Sequence, residues 1–283
     1  MRSQPACWRQ AADMARTTPL PGRGRRVAIV GCGTSFHVSQ AIAAWREAAG
    51  HGETDAFTAS EMPRRDSYDG IVVVSRSGTT SEDLWLIESV APGTDVIGIT
   101  AVPHSPIASA VREAIVLPFA DEQAIVQTRF ATSVLALWRA HLGHDIEQLA
   151  RLADQQLSDA VPAALARCEQ FVFLGRGPGA GLANEASLKF REAALAWSES
   201  YPAMEFRHGP ISVIGPRTLV WSLGQLADGL AEEIAETGAA LVKGGSDPMV
   251  ELVHVHRAAI ALARARGLDP NNPRRLSRSV VLR

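Results

Sequence analysis

Val72-Val73-Val74-Ser75-Arg76-Ser77-Gly78-Thr79-Thr80-Ser81-Glu82 runs from three β-branched residues into a hydroxyl-rich loop and then into an acidic helix start. A β-branched run of this kind suits a parallel strand covered on both faces. Past it, Ser75, Ser77, Thr79 and Thr80 offer hydroxyl donors, Arg76 a full positive charge, and Gly78 a backbone that a ligand can approach closely. A helix beginning near Ser81 aims unpaired N–H groups and the positive end of its dipole at the same point. The pattern predicts an anion site. Neither a Walker-type glycine and lysine pattern nor G-x-G-x-x-G follows, so the anion is expected on a small phosphorylated metabolite rather than a nucleotide. The same residues also suit a plain polar turn with a serine N-cap.

Working outward, the segment Arg26–Gly31 reads as a strand that breaks into Cys-Gly-Thr-Ser, followed by a helix carrying Val38, Ile42 and Trp45. Gln170–Gly175 repeats the plan, breaking into Arg-Gly-Pro-Gly-Ala-Gly before a helix from about Leu182 to Ala196. The two glycine turns lie 144 residues apart, and Ile71–Ser75 is echoed by Leu219–Leu223, which predicts an internal repeat. Short apolar runs at Asp95–Thr100, Ala114–Pro118, Ala239–Lys243 and Glu251–Val255 are expected as further strands alternating with amphipathic helices, the pattern of parallel α/β sheets. The Ala-rich, charged stretch from His144 to Ala166, with Pro162 inside it, is the expected junction. Two lobes follow, residues 1–150 with the hydroxyl loop and residues 151–283 with the acid–base residues and the C-terminal tail.

The repeat is informative where it fails. Ser222-Leu-Gly-Gln-Leu stands where the first half has its hydroxyl cluster, so phosphate is expected in the first half alone. The second half carries titratable groups instead: Glu185, Lys189 and Glu192 share a helix face at i, i+4 and i+7, and His208 sits in Glu-Phe-Arg-His-Gly-Pro. Glu192 as a solvated partner of Lys189, and His208 as an ordinary turn histidine, are the plain alternatives. Against them, the helix of Glu192 starts at a glycine turn at the carboxyl end of a strand, where ligands of open α/β sheets collect.

Composition bounds the rest. With 46% hydrophobic and 20% charged residues and a net charge of −2, the 283-residue chain is expected to be a globular enzyme, not a nucleic-acid or membrane-surface protein. No run of about 18 apolar residues marks a membrane span, and no secretory signal is read at the start, so a cytoplasmic location is expected. Cys7, Cys32 and Cys168 share no C-x-x-C spacing, which fits a reducing compartment; Cys32 lies in a Gly-Cys-Gly turn without a base nearby in sequence. The eight histidines show no H-x-x-x-H or H-E-x-x-H spacing, and neither metal nor cofactor is expected.

These segments resemble the sugar isomerase (SIS) family, most closely the two-lobed isomerase portion of glucosamine-6-phosphate synthase and the related amino-sugar-phosphate deaminases and fructosamine deglycases. The resemblance spans Gln4-Pro5, Gly31–His37, Ser75–Thr80, Glu122–Arg129, Ser187–Glu192, Phe206–Pro210 and the tail Asp269–Arg278. It implies two tandem SIS subdomains, each a parallel flavodoxin-like sheet flanked by helices. It implies further that Ser35, Ser75, Ser77 and Thr80, here with Arg76, hold a sugar phosphate. Glu192 would move a proton between C1 and C2, His208 would help open the ring, often in a neighbouring subunit's site, and Lys189 would assist. Thr34, Glu122, Gln127, Arg129 and Arg278 are expected on the sugar. The implied partner is a phosphorylated sugar or amino sugar, and the implied assembly a homodimer with the active site near the subunit interface.

Departures from that pattern shape the expected chemistry. No glutaminase domain or amino-terminal cysteine nucleophile is seen, so glutamine is not the expected nitrogen source. Arg278 replaces the tail lysine and, being permanently protonated, cannot form a Schiff base. Lys189 is the conceivable substitute. Arg76 stands for a glutamine and Gln127 for a serine. The expected activity is phosphosugar isomerisation or deamination of the glucosamine 6-phosphate to fructose 6-phosphate type. Plain aldose–ketose isomerisation, fructosamine-phosphate deglycation and non-catalytic sugar-phosphate sensing are the alternatives.

Overall fold

The computed structural model describes residues 1–63, 67–245 and 247–282. Five strands form the first sheet: β1 (Val27–Gly31), β2 (Thr54–Phe57), β3 (Gly70–Val74), β4 (Val96–Thr100) and β5 (Glu113–Val116). All neighbours are parallel, and the order is β2-β1-β3-β4-β5. Every residue of β1, β3 and β4 is buried, as expected of parallel strands covered by helices on both faces. The helices of this part of the chain are α1 (Gln4–Ala15), α2 (Thr34–Ala48), α3 (Ser81–Ser89), the short α4 (Pro106–Ala110) and α5 (Arg129–His141); α2 packs on β1 and β2, and α4 on β4 and β5.

After α6 (Ile146–Gln156), the second sheet contains β6 (Gln170–Gly175), β7 (Trp197–Pro202), β8 (Thr218–Leu223) and β9 (Ala240–Val242), parallel in the order β7-β6-β8-β9. It packs with α7 (Pro178–Ala194), α8 (Leu230–Glu236) and α9 (Pro248–Ala265). Both sheets thus place their second strand at the edge, their first inside and their third beyond it, which is the flavodoxin-like winding. Contacts divide the chain into two compact units. One holds residues 6–123, 127–147 and the tail from Ser277; the other holds residues 1–5, 124–126 and 148–276.

Glycines set the turn that launches the first helix in each unit. Gly33 (φ 56°, ψ −123°) caps α2, and Gly177 (φ 51°, ψ −125°) caps α7, a backbone region that side chains avoid. Two residues earlier, Gly31 and Gly175 end the strands with no room for a side chain: a Cβ on Gly31 would lie 2.6 Å from Ser35 Cβ and 2.9 Å from the Val74 carbonyl. The helix start can therefore lie directly on the strand ends.

One expected strand is a helix. Glu251–Val255 lies inside α9, which Asp247 starts by accepting the N–H groups of Met249 (3.0 Å) and Val250 (3.2 Å), with Pro248 in the first turn. Met249, Val250, Leu252, Val253 and Val255 are all buried. A helix covered nearly all round loses the 3.6-residue alternation, and a five-residue window of it reads as a buried strand. Conversely, β2 and β7 went unseen, because Thr-Asp-Ala-Phe and Trp-Ser-Glu-Ser-Tyr-Pro are half-exposed edge strands without a continuous apolar run.

Gly31→Ala is expected to destabilise the protein by about 1–3 kcal/mol, because backbone and Ser35 must give way together. Gly22→Ala, where a Cβ meets nothing within 4 Å, is the near-neutral control. Urea unfolding of the pair checks both.

Candidate active site

In the first sheet the chain runs outward from β1 to β2 on one side and to β3 on the other, so the turns leaving β1 and β3 part and open a crevice at their carboxyl ends. The register pairs Gly31 with Val74 at that end. Thr34 and Ser35 begin α2 on one wall; Ser75–Thr80 leave β3 on the other, leading into α3. Ser35, Ser75, Arg76 and Ser77 are all buried.

The loop is pinned by its backbone. Ser75 N–H donates to the Ile99 carbonyl (2.9 Å); the Arg76 carbonyl accepts from Ala101 N–H (3.0 Å) and the Thr100 hydroxyl (3.1 Å); the Gly78 carbonyl accepts from Ile107 N–H (2.9 Å). Gly78 adopts φ +64° against Ser105, whose Cβ would lie 2.5 Å from an added Cβ. The hydroxyls face one another: Ser75 and Thr80 are 3.2 Å apart, and Ser77 Oγ accepts from Thr79 N–H (3.2 Å) and the Thr79 hydroxyl (3.0 Å). Thr80 is the N-cap of α3, but its side chain makes no capping hydrogen bond. The hydroxyls are therefore not consumed in starting the helix, as they would be in a plain capping turn.

The tail lies against the same loop. Arg76 Nη2 donates to the Arg278 carbonyl (3.2 Å), Ser81 N–H to the Val280 carbonyl (3.2 Å) and Leu282 N–H to Ser81 Oγ (2.8 Å). Arg278 in turn pairs with the Asp121 carboxylate and donates to the Glu122 carbonyl (2.7 Å). Glu122 turns its carboxylate to the start of α5, accepting from Thr128 N–H (2.8 Å), the Thr128 hydroxyl (2.9 Å), Arg129 N–H (3.3 Å) and Phe130 N–H (3.3 Å). Its carboxylate is a helix cap here. Gln127, just before that start, keeps a buried Oε1 with no hydrogen-bond partner.

In the second unit, α7 brings Glu185, Lys189 and Glu192 together. Lys189 Nζ lies 3.4 Å from Glu185 and bonds to Glu192; the Lys189 and Glu185 side chains are 1% and 0% exposed, Glu192 20%. Burial pulls the ammonium down, but the two carboxylates outweigh it and hold Lys189 above its ordinary value. Glu192 is thus not a solvated helix partner. It borders a small hollow of about 50 Å³ with Asp269, Asn272 and Arg274. His208, in the same unit, is exposed after a 3-10 turn and held by its own N–H to the Glu205 carbonyl (2.9 Å). No hydrogen bond joins its side chain to Glu192 among the described residues.

Two buried groups escaped the sequence reading. His256 on α9 is 1% exposed, and burial, with Lys189 and the chain's amino terminus, lowers its basicity well below the ordinary value. Asp83 is 1% exposed in the first turn of α3, where acidic residues normally serve the helix dipole in solvent. Burial raises its carboxyl to about 7, and the Cys32 thiol beside it is pushed to about 12, first by burial and then by Asp83, which leaves Cys32 a poor nucleophile.

Residues 23–139, the span that holds the first sheet, match the SIS domain family model, and the two parallel sheets have the architecture of tandem SIS subdomains. The likeness extends further. Glutamine–fructose-6-phosphate aminotransferase [isomerizing] of Zymomonas mobilis subsp. mobilis is 26% identical over 318 residues, which cover 91% of this chain and 52% of that one. The chain spans about half the length of the curated relatives it matches. Among solved structures, glucosamine-6-phosphate deaminase of Thermotoga maritima superposes with a TM-score of 0.83 at 24% identity, covering 98% of both chains. Tagatose-6-phosphate ketose/aldose isomerase of Escherichia coli gives 0.76 at 17% identity, covering 95% of this chain and 92% of that one. Among the described residues, no helix is long and apolar enough to cross a membrane.

Removing the buried cation should cost far more than a surface charge: Lys189→Met leaves Glu185 buried without its counter-ion, and about 3–5 kcal/mol of stability is expected to go. Asp83 works with the opposite sign. Its folded value lies above its unfolded one, so its contribution is intact near pH 4 and lost as pH rises to about 7. Asp83→Asn is therefore expected to gain on the order of 1–4 kcal/mol over the native chain between pH 4 and 8, measured by urea unfolding at both pH values.

Proposed function

We propose that this protein is a phosphosugar isomerase of the deaminating type, converting an aminohexose 6-phosphate such as glucosamine 6-phosphate to the ketose phosphate and ammonia. The observation that carries it is the pinned hydroxyl loop Ser75–Thr80 in the crevice where the strand order reverses between β1 and β3. That crevice is where doubly wound sheets receive ligands, and here it offers hydroxyls, helix N–H groups and a buried guanidinium, the donor set of a phosphate site. Ser35, Ser75, Ser77, Thr80 and Arg76 hold the phosphate in this reading. Thr34, Gln127, Arg129 and Arg278 are assigned to the sugar, with Glu122 shaping that wall through the cap of α5.

The chemistry belongs to the second unit. Glu192 takes the proton from C2 of the open-chain aldose and returns it to C1, giving an imine at C2 that water hydrolyses to the ketone and ammonia. The reaction consumes one water and no glutamine. One carboxylate on a helix can serve both carbons because they are adjacent. Lys189, held protonated between Glu185 and Glu192, orients that carboxylate and favours the negative charge that develops at the sugar oxygens. His208 opens the ring; its exposed position suits service in a second subunit's site, so the reading includes a homodimer, working in the cytoplasm. The deaminase and the ketose/aldose isomerase that share this fold support this class of reaction.

Glu192→Gln is expected to lower exchange of solvent deuterium into C1 and C2 by on the order of 10²–10⁴-fold while phosphate binding persists. Ser77→Ala with Thr80→Ala should raise KM for the phosphorylated sugar and leave any unphosphorylated turnover unchanged. Native protein that neither exchanges those protons nor gains thermal stability with any hexose or hexosamine 6-phosphate would overturn the proposal.

A further inference from the structure

Asp83 lies behind the hydroxyls just assigned to phosphate. Its Oδ1 accepts from the Cys32 thiol, at 3.7 Å, a weak donor, and its Oδ2 is buried with no hydrogen-bond partner. The Ser75 and Thr80 hydroxyls, 3.2 Å from each other, are its other polar neighbours and act on its carboxyl. A half-satisfied carboxyl in a buried cluster is costly, and its protonation state decides which way the neighbouring hydroxyl hydrogens point.

As a carboxylate, Asp83 can only accept, so it draws the Ser75 and Thr80 hydrogens toward itself and turns their lone pairs to the crevice. A phosphate dianion would then face those lone pairs with a second negative charge behind them. As a carboxylic acid, Asp83 donates to one of these hydroxyls and frees that hydroxyl's own hydrogen for the ligand. The titratable neighbours offer it no base-stabilised alternative: Cys32 faces it from the β1–α2 turn and Glu82 from its own helix. Of the other elements packed on α3, the turn Ala59–Glu61 brings Glu61 and α4 brings no titratable group.

We infer that Asp83 is a positioning residue that takes up one proton as the loop binds a phosphate monoester dianion, so that anion affinity falls as pH rises above neutrality. The inference rests on the reading of Ser75–Thr80 as the phosphate site. The carboxyl, raised to about 7 chiefly by burial, titrates where such a linkage is felt. Above that pH, affinity falls up to tenfold per pH unit, because each binding event must draw a proton from a solution tenfold poorer in them.

Calorimetry of the full chain with sulfate tests it, since sulfate is a dianion that does not itself titrate near neutrality. At pH 8, in buffers of different ionisation enthalpy, uptake of about one proton per bound sulfate is expected. In Asp83→Asn, whose amide can donate as the acid does, uptake vanishes and sulfate binds about tenfold more tightly than in the native chain at pH 8. Binding without uptake, or uptake that persists in the variant, overturns the inference and leaves the phosphate site standing. If neither sulfate nor any hexose 6-phosphate binds, the site reading falls and takes the inference with it. Should the variant fail to fold, ¹³C spectra of aspartate carboxyls in the native chain decide the matter: a carboxyl that becomes protonated on adding sulfate at pH 8 supports the linkage, and its absence overturns it.

Discussion

The candidate site depends on two atoms that are not there. Because Gly31 has no side chain, Ser35 and the Val74 carbonyl can close to within 3 Å of where a Cβ would stand, and α2 starts directly on the end of the strand pair. That contact brings the first turn of α2 and the loop after β3 to the same crevice. Gly78 does the same from the other wall, where its left-handed backbone lets the loop lie against Ser105 and receive the Ile107 N–H. A hydroxyl at position 35 or 77 would have no defined partner geometry without those two close approaches. A loop held by backbone hydrogen bonds to β4 and α4 is ordered on its own, which in the proposed reading lowers the entropy cost of binding.

Much of this was legible in the sequence, and the parts that were not share a cause. The buried strands β1, β3, β4, β6 and β8 announce themselves as β-branched or aromatic runs ending in glycine or hydroxyl turns, so the parallel α/β class follows from local pattern. Edge strands β2 and β7 are visible only through their partners, since half of each faces away from the core. The Glu251–Val255 helix fails for the converse reason: burial on every side erases the periodicity on which a short window depends. Among site residues, the hydroxyl loop and the Glu185, Lys189 and Glu192 face are local patterns and could be read. The burial of Asp83, the cap role of Glu122 and the tail's return to Arg76 depend on contacts between residues far apart in sequence, or on packing that local spacing does not encode.

The lysine at the centre of α7 shows how burial and charge decide chemistry together. Desolvation alone would leave Lys189 neutral and nucleophilic, the usual route to an imine-forming lysine. Two carboxylates on the same helix reverse that outcome and keep it an ammonium. The cluster is then a fixed cation between one fully buried carboxylate and one that reaches a hollow, so Glu192 has a defined orientation before any substrate enters.

That charge state bears on the route of the proposed reaction. A covalent route through a Schiff base needs a neutral amine, and neither Arg278 nor Lys189 offers one. Arg278 stays protonated by its chemistry and is further occupied by Asp121 and the Glu122 carbonyl. Lys189 stays protonated because Glu185 and Glu192 surround it. Within the proposed assignment, proton transfer by Glu192 on a freely opened sugar is therefore the route these residues favour, while the Arg278 side chain is held by Asp121 and the Glu122 carbonyl. The tail's hydrogen bonds to Arg76 and Ser81 run through its backbone, so its docking on the hydroxyl loop does not depend on which side chain stands at position 278.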